Sequence, residues 1–580
     1  MHGSYRMKKI IRRNVEVSQE FKNLHPLLQK IYAARDVNSL QEIDYSFPNL
    51  LAYEKLKGLD EALVVLWEAL IQNQRILIVG DFDADGATST VLALEALKLF
   101  GFQNVDYLIP NRFEFGYGLS PEVVEFARSK NPNLIITVDN GIASHVGVLK
   151  AKELGIKVLI TDHHLQADLT PEAVAIVNPN QKGDEFLSKN LAGVGVAFYL
   201  MLALRAYLSE RNWFEEKGMA KPNMAQFLDL VALGTVADVV TLDYNNRILV
   251  AQGIARIHAG KCRLGIKTLL NIGKRDWRTC TASDLAYVVA PRLNAAGRLD
   301  NMAEGVECLL SQSWEQVTAI TKQLDAFNLE RRVIEASMHG EALSVLDKLE
   351  LSADLPLGLC IFEESWHQGV IGILASRIKD RLQRPVIAFA AVNDDELKGS
   401  ARSIRNVHIR DLLDEINKYH PGLIIRFGGH AMAAGLTLKR NNFTTFQEVV
   451  ADLVNERLAN VDLSHTLYTD GELTLTDFSC ELVKLLQQAG PWGQGFPEPL
   501  FDGVFNVKSQ RLVGEKHLKL NLTIPGTERE IDAIYFNIDP KLWPNRECKK
   551  AQVVYRLDIN EYNGLARLQL VVEHLEPKEF

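Results

Sequence analysis

Cysteine is sparse in this sequence of 580 residues, and its placement excludes two common roles. The six cysteines are scattered with no C-x-x-C pair, which fits neither a disulfide framework nor a thiolate zinc site. Long apolar runs are also lacking, because no stretch reaches the roughly 18 continuous apolar residues of a membrane span. The basic start has no apolar core of a secretory leader. We therefore expect a soluble protein of the reducing cytoplasm, without membrane contact.

The sequence also lacks an excess of positive charge. Its formal net charge is −9 and its pI is about 5.9, so the protein as a whole is not drawn to nucleic acid or anionic lipid. Any site for a polyanion must be a local patch. With 47% hydrophobic and 24% charged residues the composition is globular, and at roughly 150 residues per domain the length predicts about three to five domains.

One plan repeats between residues 60 and 180: a short apolar run, a polar cluster at its end, and then a helical pattern. This repetition predicts βαβ units. The predicted strands cover residues 76–79, 134–138, 158–161 and 175–177. Because these runs are apolar on both faces, they indicate a parallel sheet covered by helices, whose ligands bind beyond the carboxyl ends of the strands. We predict an α/β fold for this part.

The rest of the chain changes pattern three times. Residues 190–310 have helical periodicity, and the pattern continues as one long predicted helix. A mixed α/β pattern follows it. Five short segments of alternating polarity then predict a small β-barrel of the OB kind. We divide the chain into an N-terminal segment (1–50), a catalytic domain with a helical part (51–312), a connecting helix (313–351), a second α/β domain (352–460) and a barrel domain (461–580).

Three carboxylates follow the first predicted strand at a spacing of two residues: Asp81, Asp83 and Asp85. In an extended segment they project to one side, where a hard cation such as Mg²⁺ or Mn²⁺ would relieve their repulsion. The plain alternative is an Asp-Gly turn with solvated acids. A calcium loop is disfavoured because its twelfth position requires a Glu and is Leu92 here.

Further acids and two histidines lie at the ends of the next strands. Asp139 follows the second predicted strand, and Asp162, His163 and His164 follow the third. Taken alone, the two histidines would be an exposed loop pair, but parallel strands bring all these residues to one edge. Asp238 lies inside an apolar run and needs a partner there, which is either a metal or a helix cap. Such ligands around two cations would suit phosphoester hydrolysis.

The segments Asp-Phe-Asp-Ala-Asp-Gly, Val-Asp-Asn-Gly, Thr-Asp-His-His and Val-Ala-Asp resemble the successive motifs of the DHH phosphoesterases. From about residue 50 onward the chain is similar to the bacterial branch that degrades single-stranded DNA from the 5′ end. The resemblance implies two Mn²⁺ or Mg²⁺ ions, the ligands Asp81, Asp83, Asp85, Asp139, His163 and Asp238, and a place for His164 near the substrate. It places Asp83 and Asp85 on separate ions, Asp139 between them, and His163 and Asp238 on the second. Asp162 would orient an imidazole.

Two glycine-rich segments of the second α/β domain, residues 399–405 and 427–435, combine close backbone approach with hydrogen-bond donors. Their plain alternative is tight helix packing. They resemble the DHHA1 domain, which implies that Ser400, Arg402 and His430 bind the 5′ end and its flanking phosphates.

Four further residues are candidates for substrate binding. Arg292, Asn294 and Arg298 form a cluster that could instead make ordinary salt bridges. We predict a functional role for His367 and a packing role for its neighbour Trp366.

The predicted barrel carries a basic strip and two aromatic residues that could stack on bases. The strip consists of Lys508, Arg511, Lys516, His517 and Lys519, and the aromatic residues are Phe505 and Tyr535. Aromatic residues in a small barrel are more often core, and lysines are often a solvated face.

The sequence therefore favours a metal-dependent 5′→3′ exonuclease that threads single-stranded DNA between the two α/β domains. One alternative is a phosphodiesterase acting on short RNA or cyclic dinucleotides, although such relatives lack a barrel. Another is a non-catalytic replication scaffold, although here every expected ligand type is present. The resemblance also implies a monomer that works in recombination and repair with a single-stranded DNA-binding protein and a RecQ-type helicase.

Overall fold

The computed structural model describes residues 8–166, 169–350, 356–429, 431–459, 461, 466–514, 516–538, 543–545, 547–562 and 565–578. The first elements are β1 (Lys9–Arg12), α1 (Pro26–Ala33) and α2 (Leu59–Ile71). Among the helices described, none has both the length and the apolar character needed to span a bilayer.

A five-stranded parallel sheet forms the catalytic half. Its elements are β2 (Ile76–Gly80), α3 (Ala84–Leu99), β3 (Val105–Leu108), α4 (Pro121–Arg128), β4 (Leu134–Val138), α5 (His145–Glu153), β5 (Lys157–Thr161) and β6 (Ala175–Val177). The strand order is β3-β2-β4-β5-β6. The predicted α/β fold is confirmed. The edge strand β3 was not predicted, because three of its four residues are exposed or half-buried and it reads as polar.

A helical layer follows, as predicted. It contains α6 (Gly193–Glu210), α7 (Trp213–Glu216), α8 (Leu228–Ala237), α9 (Tyr244–His258), α10 (Leu264–Ile272), α11 (Ala282–Asp284), a π-helical turn (Leu285–Val289), α12 (Ala290–Leu299) and α13 (Ala303–Leu310). Helices α6 and α8 pack on α3, and their buried apolar residues join the core of the sheet. The predicted connecting helix is α14 (Trp314–Glu350).

The second α/β domain is built on a mixed sheet. Its elements are β7 (Leu359–Phe362), α15 (Ile371–Leu382), β8 (Val386–Ala391), β9 (Glu396–Arg402), α16 (Ile409–Tyr419), β10 (Arg426–Gly429), β11 (Ala433–Lys439) and α17 (Phe443–Leu458). The order is β10-β11-β9-β8-β7. Helix packing is the wrong interpretation of the Gly428-Gly429 pair, because both residues lie in β10 and pair with β11.

The last region is a closed five-stranded barrel preceded by β12 (Thr466–Thr469) and α18 (Cys480–Gln488). Its strands are β13 (Phe501–Val513), β14 (His517–Thr523), β15 (Glu530–Tyr535), β16 (Lys550–Tyr562) and β17 (Leu565–Pro577), in the order β13-β14-β15-β17-β16. The predicted barrel is confirmed, with three of its strands longer than the alternating segments indicated.

The N-terminal segment ties the barrel region to the catalytic half. β1 pairs in parallel with β12, and Arg12 donates to both carboxylate oxygens of the buried Asp502. Asp470 Oδ1 forms ion pairs with Nη1 of Arg35 at 2.9 Å and with Nη1 of Arg13 at 3.3 Å. Since the partners are about 430 to 490 residues apart in sequence, these ion pairs join the two ends of the chain.

Candidate active site

The first acidic cluster lies where β2 meets α3. Asp81 follows the strand, Asp83 caps the helix by accepting the amides of Asp85 and Gly86 at 3.0 Å each, and Asp85 is in the first helical turn. The expectation of an extended segment is therefore wrong: the helix begins inside the motif. The two hydrogen bonds of the cap offset part of the free-energy cost of removing the Asp83 carboxylate from water. The helical turn directs Asp81 and Asp85 toward different neighbours.

The ends of β4 and β5 supply the next groups. Asp139 follows β4 with a φ of 62°, in the left-handed region that a non-glycine residue seldom occupies except at functional sites. His163 follows β5, and its Nε2 lies 3.2 Å from Asp139 Oδ1 and 3.4 Å from Asp238 Oδ2. Asp238 is the C-cap of α8. The parallel sheet thus brings together residues that are far apart in sequence.

The predicted ligands fall into two adjoining groups, which are Asp81, Asp83 and Asp139, and Asp85, His163 and Asp238. A third group, Asp139, His163 and His164, overlaps both of them. In each group, one ligand atom from every residue lies within 4.8 Å of the others. Asp139 Oδ1 and His163 Nε2 are buried, and neither has a hydrogen-bond partner among the described residues. Buried polar atoms left unsatisfied in this way need a ligand. A donor set made mostly of carboxylates fits Mn²⁺ or Mg²⁺.

Two helices approach these acids through glycine. The amides of Gly193 and Val194 at the start of α6 donate to the two oxygens of Asp85, at 2.7 and 2.9 Å. A Cβ on Gly193 would lie 2.5 Å from Asp139 Oδ1, and one on Gly234 in α8 would lie 2.7 Å from Asp85 Oδ1. Any larger residue at either position would displace a carboxylate.

Burial and mutual repulsion make these acids reluctant to ionise. Burial, followed by the charge of Asp238, raises the pKa of Asp85 to about 7. Burial and then Asp83 raise the pKa of Asp238 to about 7. The pKa values of Asp81 and Asp139 are raised well above the ordinary range, again chiefly by burial. A divalent cation would stabilise the charged forms of these carboxylates.

These shifts predict a pH-dependent stability of the metal-free protein. A carboxyl with a raised pKa in the folded state contributes stability that is complete below its unfolded pKa and is lost as pH rises through the folded value. With unfolded values of 3.8 and folded values of about 7 for Asp85 and Asp238, we expect the unfolding temperature in EDTA to fall between about pH 4 and pH 7.

Addition of Mn²⁺ should reverse this loss. Because the ligands must be deprotonated to bind metal, the rise in unfolding temperature on adding Mn²⁺ should be larger near pH 8 than near pH 5.5. Differential scanning fluorimetry measures both effects. A curve that is flat with pH and unmoved by Mn²⁺ would contradict the metal site.

The second histidine has a different environment. Asp162 Oδ1 lies 2.7 Å from His164 Nδ1, and the other oxygen of Asp162 accepts the amide of Ile142. Burial lowers the pKa of His164, but the pair with Asp162 outweighs it and raises the pKa to about 9. Burial, then His164, lowers the pKa of His163. One imidazole is therefore set to be cationic, and its neighbour to be a neutral ligand.

Beside the acids, three guanidinium groups from three parts of the chain converge. Burial, followed by Arg112 and Arg402, lowers the pKa of Arg298 to about 9, and Arg112 also lowers the pKa of Arg402 after burial. Among the described residues, no carboxylate forms an ion pair with any of the three. Arg402 donates to Ser400 Oγ at 3.1 Å, and a Cβ on Gly372, at the start of α15, would lie 2.9 Å from both side chains. This cluster, the arginine pocket, needs an anion.

The remaining substrate-binding candidates separate into different environments. Arg292 does not join the arginine pocket, because its Nε donates to Asp325 of α14 at 2.9 Å; the alternative of ordinary salt bridging describes it. Asn294 accepts the amide of Ala84 at 2.8 Å and so positions the acidic motif.

The residues of the second α/β domain are also divided. His367 lies at the domain junction, with its ring 6.0 Å from that of Phe113. Trp366 packs in the core and donates to Glu341 at 3.0 Å, as predicted. His430 lies outside the described residues.

The basic strip of the barrel is partly neutralised. Its ion pairs are Lys508 with Glu528 at 3.8 Å and Lys519 with Asp532 at 3.1 Å. Arg511 and Lys516 are exposed, and the ring of His517 lies 5.3 Å from that of Phe536. Phe505 is buried in the barrel core and is not a stacking surface.

Sequence reasoning missed Arg112. The residue follows β3 at the same edge of the sheet as the acids, and its guanidinium lies 4.5 Å above the ring of Phe82. The available signal was its position just after a strand, but β3 itself was not predicted. The amides of Gly193 and Val194 that bind Asp85 carried no sequence signal.

Comparisons with known proteins agree with this architecture. The model of the DHH family, N-terminal domain, matches residues 75–235, that of the DHHA1 domain matches 355–456, and that of the RecJ OB domain matches 469–574. Single-stranded-DNA-specific exonuclease RecJ of Salmonella typhimurium is 52% identical over 556 residues, which cover 96% of each chain. RecJ of Dickeya dadantii is 54% identical over 556 residues, with the same coverage of both chains.

Solved structures extend the match to metal-bound proteins. The crystal structure of RecJ in complex with Mn²⁺ from Thermus thermophilus has a TM-score of 0.77 at 27% identity, covering 99% of this chain and 80% of that one. Its counterpart with Mg²⁺ has a TM-score of 0.72 at 26% identity, covering 99% and 78%. With its domains, its acidic site and these relatives, the chain belongs to the RecJ family of single-stranded-DNA-specific exonucleases.

Proposed function

We propose that this protein is a metal-dependent exonuclease that removes nucleotides from the 5′ end of single-stranded DNA during recombination and repair. The observation that carries the proposal is the position of the arginine pocket directly beside the two groups of metal-ligand side chains. Arg298 and Arg112 each lie within electrostatic range of Asp83. A terminal phosphate held by the arginines would place the next phosphodiester at the acids.

We assign two divalent cations, Mn²⁺ or Mg²⁺, to the site. The ligands of one would be Asp81, Asp83 and Asp139, and those of the other Asp85, His163 and Asp238, with Asp139 also facing the second ion. Cations in such a site stabilise the charge that develops on phosphoryl oxygens. The number two is part of this proposal, and it is supported by the two groups of predicted ligands that Asp139 and His163 connect.

The chain's own residues orient and neutralise the substrate. Asp162 fixes the imidazole of His164 and keeps it protonated at neutral pH, so His164 would donate a hydrogen bond to a phosphate oxygen of the scissile bond. Asn294 holds the start of α3 and thereby the positions of Asp83 and Asp85. Removal of either support would misplace the reacting phosphate.

The 5′ polarity would come from the arginine pocket. Arg112, Arg298 and Arg402 supply charge, and the hydroxyl of Ser400 supplies a further donor, so the pocket suits the dianionic terminal phosphate better than an internal phosphodiester. The passage between the two domains would exclude a duplex. The barrel, with Arg511 and Lys516, would hold the strand farther along.

Family membership supports further proposals about the cellular setting. We propose that the protein acts in the cytoplasm as a monomer and meets a single-stranded DNA-binding protein and a RecQ-type helicase on its substrates. The described structure gives all six cysteines as free thiols, which is compatible with a reducing compartment.

Digestion of single-stranded DNA labelled at its 3′ end tests the activity. We expect the labelled strand to shorten progressively from the 5′ end with Mn²⁺ and to stay intact in EDTA. The same strand in a duplex should resist digestion. A protein that binds the strand but leaves it intact with Mn²⁺ would instead be a scaffold, and one that cleaves only a cyclic dinucleotide would be the small-substrate phosphodiesterase.

A further inference from the structure

An exposed aromatic ring lies on the helix that passes the active site. Tyr287 is 78% exposed, and its side chain has no hydrogen bond, ion pair or ring contact with any described residue. It occupies the π-helical turn Leu285–Val289, in which the amide of Ala290 donates to the carbonyl of Leu285, five residues earlier. Single π-helical turns occur frequently at functional sites. A large ring held in water is available for a partner.

The π-helical turn continues directly into α12 and so places Tyr287 in line with residues of α12 near the acidic motif. Tyr287, Pro291, Asn294 and Arg298 follow one another at spacings of four, three and four residues, and each is at least partly exposed. Residues at this spacing share one face of a helix. The opposite face is buried, and it consists of Leu285, Val289, Leu293 and Ala296. One continuous accessible stripe therefore links Tyr287 to the acidic motif and the arginine pocket.

The order of residues along this stripe matches the order, from the 5′ end, of the terminal phosphate, the scissile bond and the following nucleotides in a bound strand. Arg298 belongs to the arginine pocket, and Asn294 contacts the acidic motif. Tyr287 precedes Asn294 by seven residues, a distance of at most about 10 Å, because the α-helical rise is about 1.5 Å per residue and the π-helical turn is wider and rises less. A stacked single strand covers that length in about three nucleotides at about 3.4 Å each. With the 5′ phosphate in the pocket, the strand would reach Tyr287 on the 3′ side of the scissile bond.

The barrel lies at the same end of the stripe. Asp558 of β16 is within electrostatic range of Asp284, which directly precedes the π-helical turn, and of Arg275. Arg275 in turn pairs with Asp284 at 3.0 Å. A strand that follows α12 away from the acids therefore passes Tyr287 before it reaches the barrel.

We propose that Tyr287 forms a base-stacking subsite for the single strand, about three nucleotides to the 3′ side of the scissile phosphodiester. The ring stacks on a nucleobase of any identity and holds the strand against α12 between cleavage events. The subsite makes long substrates bind more tightly than short ones, because a dinucleotide cannot reach the ring. This inference rests on the proposed exonuclease function and on its 5′ polarity.

The test compares Tyr287→Ala with Tyr287→Phe in the full-length protein. For a 5′-phosphorylated oligonucleotide of about twelve nucleotides, we expect Tyr287→Ala to raise KM roughly ten-fold with little change in kcat. Hydrolysis of a 5′-phosphorylated dinucleotide should not change. Tyr287→Phe keeps the stacking face and should restore the wild-type KM. Tyr419→Ala, which removes a ring that is 66% exposed on α16, is the matched control and should behave as wild type.

A series of oligonucleotides with one abasic position locates the contact. In the wild type, affinity should fall when the abasic position is about the third nucleotide 3′ of the scissile bond, and Tyr287→Ala should abolish that dependence. Fluorescence anisotropy in EDTA measures this affinity without hydrolysis, so the stacking result is obtained even if the exonuclease proposal fails. The inference is overturned if Tyr287→Ala matches Tyr419→Ala, if it slows dinucleotide hydrolysis, or if the abasic effect maps to another position.

Discussion

Replacing Asp139 by Asn should lower kcat by about 10³-fold or more, which is the size of effect expected when a central electrostatic contact is lost. The same substitution should make the metal-free protein more stable. Asp139 is 2% exposed, its pKa is raised well above the ordinary range by burial and then by Asp85, and its Oδ1 has no hydrogen-bond partner among the described residues. An amide of the same shape removes the like-charge repulsion. It also removes the oxygen that faces both groups of ligands.

The opposite signs of the two effects separate this prediction from simple misfolding. Single-turnover digestion with Mn²⁺ measures the loss of activity, and thermal unfolding in EDTA measures the gain in stability. Asp60→Asn, on the exposed start of α2, should change neither. If Asp139→Asn retains near-normal kcat, Asp139 is not a ligand of the metal site. If Asp139→Asn has a lower unfolding temperature in EDTA than the wild type, other groups already compensate the charge of Asp139.

Replacing Arg402 by Met should abolish the preference for a 5′-phosphate and lower kcat/KM on 5′-phosphorylated DNA by about 10²-fold, the range for loss of a charge-assisted contact. The substrate with a 5′-hydroxyl should lose much less. Arg402 is buried close to another cation: burial, followed by the charge of Arg112, lowers its pKa. Met keeps the aliphatic part of the side chain and removes the guanidinium, with its hydrogen bonds to Ser400 Oγ and the carbonyl of Ala401. Because a buried cation near another arginine is removed at the same time, we expect only a small change in the unfolding temperature.

Arg292→Met is the matched control for this experiment. Arg292 lies on the same helix as Arg298, but its guanidinium forms an ion pair with Asp325 and is not part of the arginine pocket. We expect it to lower the unfolding temperature and to leave the ratio of rates on 5′-phosphorylated and 5′-hydroxyl DNA unchanged. If Arg402→Met keeps the wild-type ratio, or if Arg292→Met is the variant that loses it, the arginine pocket is not the site of the terminal phosphate.

Sequence periodicity predicted the buried strands of the catalytic sheet well, because strands covered on both faces are continuous apolar runs. The run at residues 134–138 coincides with β4, whereas β3 at the sheet edge contains Asp106 and Tyr107 and gave no such signal. The omission of β3 carried a second omission with it. Arg112 could not be placed near the acids without the strand that precedes it.

The candidate ligands could be predicted because parallel strands necessarily end at a common edge. Their directions could not be predicted in the same way. The spacing of Asp81, Asp83 and Asp85 suggested an extended segment, whereas the structure begins a helix at Ala84. Contacts between residues far apart in sequence could not be predicted either. The sequence around Arg292 gives no sign that it pairs with Asp325, and the sequence of β1 gives no sign that its partner strand is in the barrel region.

The pairing of β1 with β12 has a consequence for how the protein is made. Lys9 pairs with Thr466, so at the usual synthesis rate of about 5 to 20 residues per second β1 waits roughly 20 to 90 seconds for its partner. During this interval the edge of β1 is open to other strands, and the α/β domains can complete their own sheets on the ribosome. The finished molecule therefore depends on a docking step in which β1 meets a segment that is synthesised long after it.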